Sequence, residues 1–306
     1  MAFFIIIILV TLIVIYMNRQ QGEQINYEVN DNNVLEVMSN MTGKIKSLDN
    51  LTKYEYETEE ISVKNGDKNI YGVLYRPKTE STNVPLVIYS HGLGETHIYG
   101  TDYAQNLATY GIATYCFDFC GGSSSSRSDG ETTDMSILTE VSDLEAVINT
   151  MKNWKFVDNE KIVLLGTSQG GAVSAITAAR HKEEIAGAIL CYSALQIPED
   201  LHELFPSKEE IPDTYYLYWI NVGRKYMEDV WDYNIYKEIS NYDKKVLLLH
   251  GDKDSIVDIS VSEKASKVYK NAEFYTIQGA GHGFSGNHFE ETLTYIFDYL
   301  QEINIL

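Results

Sequence analysis

The chain has few cysteines for its length, and their placement excludes two kinds of cysteine chemistry. Only Cys116, Cys120 and Cys191 occur among 306 residues. An odd number without regular spacing is not a disulfide framework, and no pair has the spacing of a zinc site. Because all three lie in or beside apolar runs, we expect them to be buried free thiols.

Basic residues are also scarce, and this restricts the partners of the molecule. Lysine and arginine together number 24, against 44 aspartates and glutamates, which gives a formal net charge of −20. A surface this negative repels both nucleic acids and anionic lipids. We therefore expect no nucleic-acid partner.

Two features of a cleaved signal peptide are missing from the amino terminus. Residues 2–17 are nearly all apolar, but no charged residue precedes them and no small-residue cleavage site follows. The segment is slightly shorter than the span of about 20 residues that crosses a bilayer as a helix. We interpret residues 1–18 as an uncleaved membrane anchor, with secretion as the alternative if the segment is cleaved. Arg19 is the only cation close after the segment, which leaves the side of the membrane open.

A polar stretch and a hairpin signal come next. Residues 19–52 are interpreted as a linker with a short helix, and residues 53–306 as a single domain. Two strand-like runs flank Asn65-Gly66, a dipeptide with a strong preference for β-hairpin turns. The domain is therefore predicted to begin with an antiparallel hairpin.

From Pro85 onward, apolar strand-like runs alternate with amphipathic helical patterns. Continuous apolar strands separated by helices predict an α/β fold, with a mostly parallel central sheet and helices on both faces. The predicted strands are 86–90, 112–119, 161–165, 185–191, 246–250 and 273–277, and the predicted helices are 103–110, 135–154, 168–180, 259–270 and 289–300.

Prolines are few, but three of the five fall in one segment, residues 196–242, that interrupts this alternation. The segment is also dense in aromatic residues. An insertion at the carboxyl edge of a sheet is typical of a lid over a binding site, so we predict a helical lid here. Its aromatic residues can equally form the core of the insertion itself. The candidates for substrate contact are Tyr215, Tyr218, Trp219 and Trp231.

A serine stands at a strand-to-helix turn. An apolar run ends at Leu165, the segment Gly166 to Gly171 holds Ser168 in a G-x-S-x-G pattern, and an alanine-rich helical pattern follows. Small flanking residues let the helix pass close to neighbouring strands at such a turn. Ser168 would then be exposed beside the positive end of a helix, which makes it the candidate nucleophile. The alternative is a glycine-rich loop with a capping serine.

A serine nucleophile needs a base to accept its proton, and the base needs an acid to orient it. His282 is the candidate base because it follows Ser168 in the expected chain order and lies among glycines after the last strand. His288, at the start of the last helix, is the weaker competitor. His250 lies inside an apolar strand and is interpreted as a packed, hydrogen-bonded residue.

Three aspartates compete for the role of the acid. Asp254 is preferred because Asp252 lies nearer to its strand and is better placed to brace the loop. Asp258 is the third candidate and is positioned to cap the next helix.

Acyl transfer also needs hydrogen-bond donors for a developing oxyanion. The backbone N–H of Gln169 is one candidate, because it directly follows the serine at a helix start. The backbone N–H of Leu93 is the other, in the glycine-containing loop 91–95 that follows a strand.

Together these motifs resemble those of the α/β-hydrolase superfamily, and within it those of bacterial cinnamoyl- and feruloyl-esterase-like and serine-aminopeptidase-like hydrolases. The run from Ser123 to Ser126, with Arg127, departs from the Gly-His-Gly pattern that many relatives have there. The matching segments lie between residues 55 and 300 and are His91-Gly92-Leu93-Gly94, Asp118-Phe119-Cys120-Gly121-Gly122-Ser123, Gly166-Thr167-Ser168-Gln169-Gly170-Gly171, Gly251-Asp252-Lys253-Asp254 and Gly281-His282-Gly283.

The resemblance implies an α/β-hydrolase fold without a metal or organic cofactor. It implies Ser168 as nucleophile, Asp254 as acid, His282 as base, and the amides of Leu93 and Gln169 as the oxyanion hole. The expected reaction is cleavage of a small-molecule carboxylic ester through an acyl-enzyme. The alternatives are a serine peptidase of the aminopeptidase or prolyl-oligopeptidase type and a non-catalytic binding protein of the same fold.

Overall fold

The computed structural model describes residues 51–306. The chain divides after Ser47, and all described residues belong to the second unit, Leu48–Leu306. The apolar segment 1–18 and the linker with its short helix, up to residue 50, lie outside the described residues.

An eight-stranded sheet forms the centre of the domain, in the order β1-β2-β4-β3-β5-β6-β9-β10. β1 pairs antiparallel with β2, and β2 antiparallel with β4, whereas the remaining pairs are parallel. This confirms the predicted mostly parallel sheet with a leading antiparallel hairpin. The strands are β1 Tyr56–Asn65, β2 Lys68–Pro77, β3 Val84–Ser90, β4 Ala113–Phe117, β5 Val157–Thr167, β6 Gly187–Cys191, β9 Val246–Gly251 and β10 Ala272–Ile277.

Helices cover both faces of this sheet. The helices are α1 Thr101–Thr109, α2 Ile137–Met151, α3 Ser168–Arg180, α4 Ile197–Leu204, α5 Arg224–Glu228, α6 Ile235–Ile239, α7 Ser260–Val268 and α8 Gly286–Glu302. Side chains of α1 and α8 pack on one face, and those of α2, α3 and α7 pack on the other. Alternate residues of one strand pack on opposite faces of the sheet. Ile88 of β3 lies in the core that contains α2, α3 and α7, and its neighbour Tyr89 lies in the core that contains α1 and α8. Burial on both faces explains why the parallel strands are continuous apolar runs.

The leading hairpin has the turn that the sequence indicated. Asn65 pairs with Lys68, so Gly66 and Asp67 form a two-residue loop. Gly66 has a φ of +57°, a conformation that glycine adopts without a side-chain penalty.

The insertion over residues 196–242 is not purely helical. Besides α4, α5 and α6 it contains a separate two-stranded antiparallel sheet formed by β7 Thr214–Leu217 and β8 Ile220–Gly223. Leu217 pairs with Ile220, so Tyr218 and Trp219 form the turn, with Tyr218 at a φ of +54°. Two bulky aromatic residues are unusual at such a turn, which explains why the sequence pattern did not reveal this hairpin.

The structure contradicts the predicted membrane location. Within residues 51–306, no helix is long and apolar enough to cross a membrane. The longest described helix, α8, has 17 residues and carries Glu290, Glu291 and Asp298, whereas a spanning helix needs about 20 mostly apolar residues. Residues 2–17, on which that prediction rested, lie outside the described part of the chain.

Candidate active site

Ser168 lies at the turn between β5 and α3 in a backbone conformation that few non-glycine residues adopt. Its φ is +52°, in the left-handed region where a side chain costs about 1–2 kcal/mol. The turn also presses Gly170 against the end of β3, because a Cβ at Gly170 would collide with the carbonyl oxygens of Ser90 and His91. The strained residue is therefore the one whose hydroxyl is presented at the carboxyl edge of the sheet.

Three side chains from three loops form one chain of hydrogen bonds. Ser168 Oγ lies 3.0 Å from His282 Nε2, and His282 Nδ1 lies 2.8 Å from Asp254 Oδ2. A carboxylate only accepts, so Nδ1 of His282 carries the proton, and Nε2 is left to accept from the Ser168 hydroxyl. The loops that hold the three residues follow β5, β9 and β10, whose carboxyl ends lie at the same edge of the sheet.

The side chain of Asp254 is fully buried and is held by several donors. Besides His282, its carboxylate accepts from Nε2 of His250 at 3.1 Å and from the N–H groups of Ile256 and Val257, both at 2.9 Å. Burial by itself would raise the pKa of Asp254. These hydrogen bonds outweigh burial and hold the pKa well below its usual range, so the carboxylate stays ionised.

The other candidates for the acid and the base make hydrogen bonds elsewhere in the fold. Asp252 accepts from the N–H of Gly279 at 2.5 Å and so ties the loop after β9 to the loop after β10. Asp258 accepts from the N–H of Ser260 at 2.9 Å, at the start of α7. His288 lies in the first turn of α8 and forms no hydrogen bond with Ser168 in the described structure.

His250 contributes more than packing. Its ring is fully buried, and Nε2 faces two acceptors, Asp254 Oδ2 and the carbonyl oxygen of Val257 at 2.9 Å, so Nε2 carries the proton. Nδ1 accepts from the hydroxyl of Ser262 at 2.7 Å. His250 therefore fixes Asp254 independently of His282. The only signal in the sequence was the spacing of four residues between His250 and Asp254.

Tyr192 is a second residue that sequence reasoning missed. Its ring packs edge-on against His282 and against Phe284, with ring centroids 4.9 Å apart in both cases. Tyr192 directly follows β6, so its position at the carboxyl edge was the available signal. The contact limits the orientations open to the His282 ring.

The peptide between Gly92 and Leu93 is held by its carbonyl group. The ring of His91 is fully buried, with Nδ1 2.8 Å from the carbonyl oxygen of Gly92 and Nε2 3.1 Å from the N–H of Phe119. Nδ1 is therefore the protonated nitrogen, and Nε2 accepts. Neither Leu93 nor Gln169 uses its backbone N–H in a hydrogen bond within residues 51–306. Both N–H groups are available to an oxyanion.

Burial also keeps His91 neutral, since it lowers the pKa of the ring from 6.5 to about 4, with the Gly92 carbonyl opposing this shift. The unfolded chain takes up this proton near pH 6.5 and the folded chain only near pH 4, so acidification between these values favours unfolding. We expect the free energy of unfolding to fall by about 2 kcal/mol more in the wild type than in His91→Gln between pH 7.5 and pH 5. Urea unfolding of both proteins at each pH measures this difference. Equal pH dependence would contradict a buried neutral His91.

A second carboxyl group braces the same loop. Glu95 Oε2 accepts from the N–H of Gly92 at 2.9 Å. A Cβ placed on Gly92 would lie 3.0 Å from Glu95 Oε2 and 3.2 Å from Ser168 Cβ, so the loop passes between the two side chains. Burial raises the pKa of Glu95, while the Gly92 hydrogen bond and His282 oppose this shift.

A pocket opens beside Ser168, and its wall is mostly apolar. Of the predicted substrate contacts, Tyr218 and Trp219 line it. Tyr215 packs instead on Phe205, with ring centroids 5.3 Å apart, and the largely buried Trp231 packs on His202 at 4.2 Å. The other lining residues are Leu93, Ser168, Gln169, Ala194, Gln196, Ile197, Asp200, Leu201, Leu204, Leu217, Tyr226, Ile256 and Val257.

Within residues 51–306, no three histidine, cysteine or acidic side chains are grouped so that they could hold a metal ion. Cys116, Cys120 and Cys191 are free and buried, as expected.

Known proteins are similar to parts of this chain and to its fold. A family model described as serine aminopeptidase, S33, matches residues 82–219, a segment that contains Leu93, Ser168 and Gln169 but ends before Asp254 and His282. A proline iminopeptidase of Saccharolobus solfataricus is 32% identical over 162 residues, which cover 51% of this chain and 49% of that relative. The quorum-quenching protein AidA of Acinetobacter baumannii is 29% identical over 147 residues, covering 48% and 46%. The chain thus spans about half the length of these curated relatives.

A solved structure extends the similarity to nearly the whole domain. Est1E from Butyrivibrio proteoclasticus, with ferulic acid bound, superimposes with a TM-score of 0.73 and 26% identity, covering 80% of this chain and 99% of that one. The mostly parallel sheet, the serine at the turn after β5 and these similarities define the class of the fold. The chain belongs to the α/β-hydrolase superfamily.

Proposed function

We propose that the protein is a serine hydrolase that cleaves carboxylic esters through an acyl-enzyme. In the first half-reaction, Ser168 Oγ attacks the ester carbonyl carbon while its proton passes to His282 Nε2. Asp254 stabilises the resulting imidazolium. The carbonyl oxygen becomes an oxyanion and accepts from the N–H groups of Leu93 and Gln169.

The first half-reaction ends with release of the alcohol and leaves the acyl-enzyme, and the second regenerates the free enzyme. As the tetrahedral intermediate collapses, the bond to the leaving alkoxide oxygen breaks and His282 donates its proton to that oxygen. In the second half-reaction, His282 accepts a proton from water, whose oxygen attacks the acyl carbon. Collapse of this second tetrahedral intermediate breaks the bond to Ser168 Oγ, which takes the proton back from His282. The products are the alcohol and the carboxylic acid.

The observation that supports this proposal is the chain of hydrogen bonds from Ser168 through His282 to Asp254. Ser168, at one end of that chain, lines a mostly apolar pocket. An apolar wall with aromatic side chains suits an apolar or aromatic acyl or alcohol group. The similarity to Est1E, with its bound ferulic acid, supports an aromatic carboxylic acid as the acyl component.

A second candidate is hydrolysis of a peptide bond next to a free amino terminus. The serine aminopeptidase family model and the proline iminopeptidase similarity favour it. One feature of the pocket is compatible with a peptide substrate as well. Asp200 is among the residues that line the pocket, and a carboxylate there would pair with a cationic amino group. Burial raises the pKa of Asp200, which weakens this pairing where the group is protonated.

A substrate panel separates the two candidates. We expect the full-length protein to hydrolyse p-nitrophenyl esters and methyl esters of aliphatic and aromatic acids, with kcat/KM at least about tenfold above that for any amino-acid p-nitroanilide. The anilides include proline, alanine and leucine, and Ser168→Ala corrects for background hydrolysis. Turnover of anilides alone would replace the esterase proposal with the peptidase.

A further inference from the structure

The insertion reaches both residues whose N–H groups form the proposed oxyanion hole. The indole Nε1 of Trp219 donates to the carbonyl oxygen of Leu93 at 2.8 Å. The hydroxyl of Tyr226 donates to Oε1 of Gln169 at 2.7 Å. Each half of the oxyanion hole is thus hydrogen-bonded to one aromatic side chain of the insertion.

On the Leu93 side, two consecutive peptide groups are held almost completely. The carbonyl of the first, Gly92, binds His91, and the carbonyl of the second, Leu93, binds Trp219. The N–H of the second, Gly94, donates to the carbonyl oxygen of Gly122 at 3.0 Å. The fourth polar group of these two peptides is the N–H of Leu93. Its direction is set by the hydrogen bonds that hold the other three groups.

The indole of Trp219 also occupies the space beside this loop. A Cβ placed on Gly94 would lie 2.7 Å from Trp219 Nε1 and 2.9 Å from Cδ1. The loop therefore packs closely against the hairpin formed by β7 and β8. Trp219 is half-exposed, so its hydrogen bond, more than its burial, links the hairpin to the loop.

On the Gln169 side, both ends of the side-chain amide are engaged in hydrogen bonds to other side chains. Nε2 of Gln169 donates to Oε2 of Glu140 at 2.8 Å, while Oε1 accepts from Tyr226. All three residues are at least nine-tenths buried. Burial raises the pKa of Glu140 well above its usual range. Because the side chain is fixed on both sides, the backbone N–H of Gln169 has little freedom to turn.

We propose that Trp219 and Tyr226 are positioning residues that hold the two oxyanion-hole amides in place, so that the insertion completes the catalytic centre as well as covering it. This inference rests on the proposed function, because it gives the two amides the role of oxyanion donors. It assigns to Trp219 a task distinct from substrate contact.

The test uses Trp219→Phe and Tyr226→Phe, which keep an aromatic ring and remove the hydrogen-bond donor. Trp219→Phe also removes part of the indole, which the Trp154→Phe control reproduces outside the pocket wall. We expect each to lower kcat for p-nitrophenyl butyrate about tenfold, less than the 10²–10³-fold that follows loss of a donor itself, with KM within about twofold of the wild type. The inhibition constant of phenylboronic acid, which forms a tetrahedral adduct with serine, should rise by the same factor as kcat falls.

Two matched controls undergo the same chemical changes elsewhere. Tyr216→Phe removes a hydroxyl from an exposed residue of the same hairpin, and Trp154→Phe removes an indole outside the pocket wall. Both should keep kcat within about twofold of the wild type. Thermal unfolding of all four variants identifies any general loss of stability.

The outcomes separate this inference from the proposed function. If the wild type hydrolyses the ester and both variants keep its kcat, or change KM alone, the positioning role is wrong and Trp219 contacts substrate at most. If kcat falls but the boronate constant does not change, the loss does not arise at the oxyanion hole and the inference is also wrong. A wild type without turnover on any ester or anilide would overturn the proposed function together with this inference.

Discussion

Ser168→Ala is expected to lower kcat/KM for ester hydrolysis by about 10⁴-fold or more while the protein remains folded. The hydroxyl is the only group of Ser168 that the proposed reaction uses, and it lies 3.0 Å from His282 Nε2. Alanine removes the nucleophile without adding volume at the turn. The measurement is steady-state hydrolysis of p-nitrophenyl esters, with circular dichroism and thermal unfolding to establish that the variant is folded.

Ser174→Ala is the matched control for this experiment. Ser174 is fully buried in the same helix, α3, and its hydroxyl has no hydrogen-bond partner in the described structure. Its activity should stay within about threefold of the wild type. Activity of Ser168→Ala within about tenfold of the wild type would remove Ser168 from the role of nucleophile.

Asp254→Asn is expected to lower kcat by about 10⁴-fold, and Asp252→Asn by less than about tenfold. Asparagine at position 254 presents an amide that can donate to the histidine ring, so the proton of His282 shifts to Nε2 and no longer leaves that nitrogen free to accept from Ser168. Asp252 instead accepts from the backbone of Gly279 and makes no hydrogen bond to His282 in the described structure.

The same pair of variants also tests the choice of acid. Both substitutions remove one negative charge from the same loop, so a general charge effect would change the two proteins equally. The reverse ranking would assign the acid to Asp252. Equal small effects would mean that His282 needs no carboxylate partner, which contradicts the proposed mechanism.

Much of this site could be predicted because its signals are local in the sequence. The turn around Ser168 requires small residues at 166, 170 and 171, and the sequence has glycine at all three positions. The hairpin at Asn65-Gly66 depends on two adjacent residues in the same way. In a parallel sheet the carboxyl ends of strands meet at one edge, so loops that are far apart in sequence were expected to converge.

The features that the sequence did not reveal depend on contacts between distant segments. The hydrogen bond of Trp219 to Leu93 joins residues 126 positions apart, and its turn carries no glycine or asparagine. Tyr215 and Trp231 have the same aromatic character as Tyr218 and Trp219, and only their place in the folded insertion separates them. Composition alone therefore identifies an aromatic segment but not which of its members face the pocket.

The most direct test of the central claim is covalent labelling of the full-length protein with a fluorophosphonate probe, followed by peptide mass spectrometry. The proposed mechanism predicts one probe per chain, attached to Ser168, and strongly reduced labelling of His282→Ala because the serine then lacks its base. Absence of labelling in the folded wild type, or attachment of the probe to a different residue, would contradict the claim that Ser168 is an activated nucleophile.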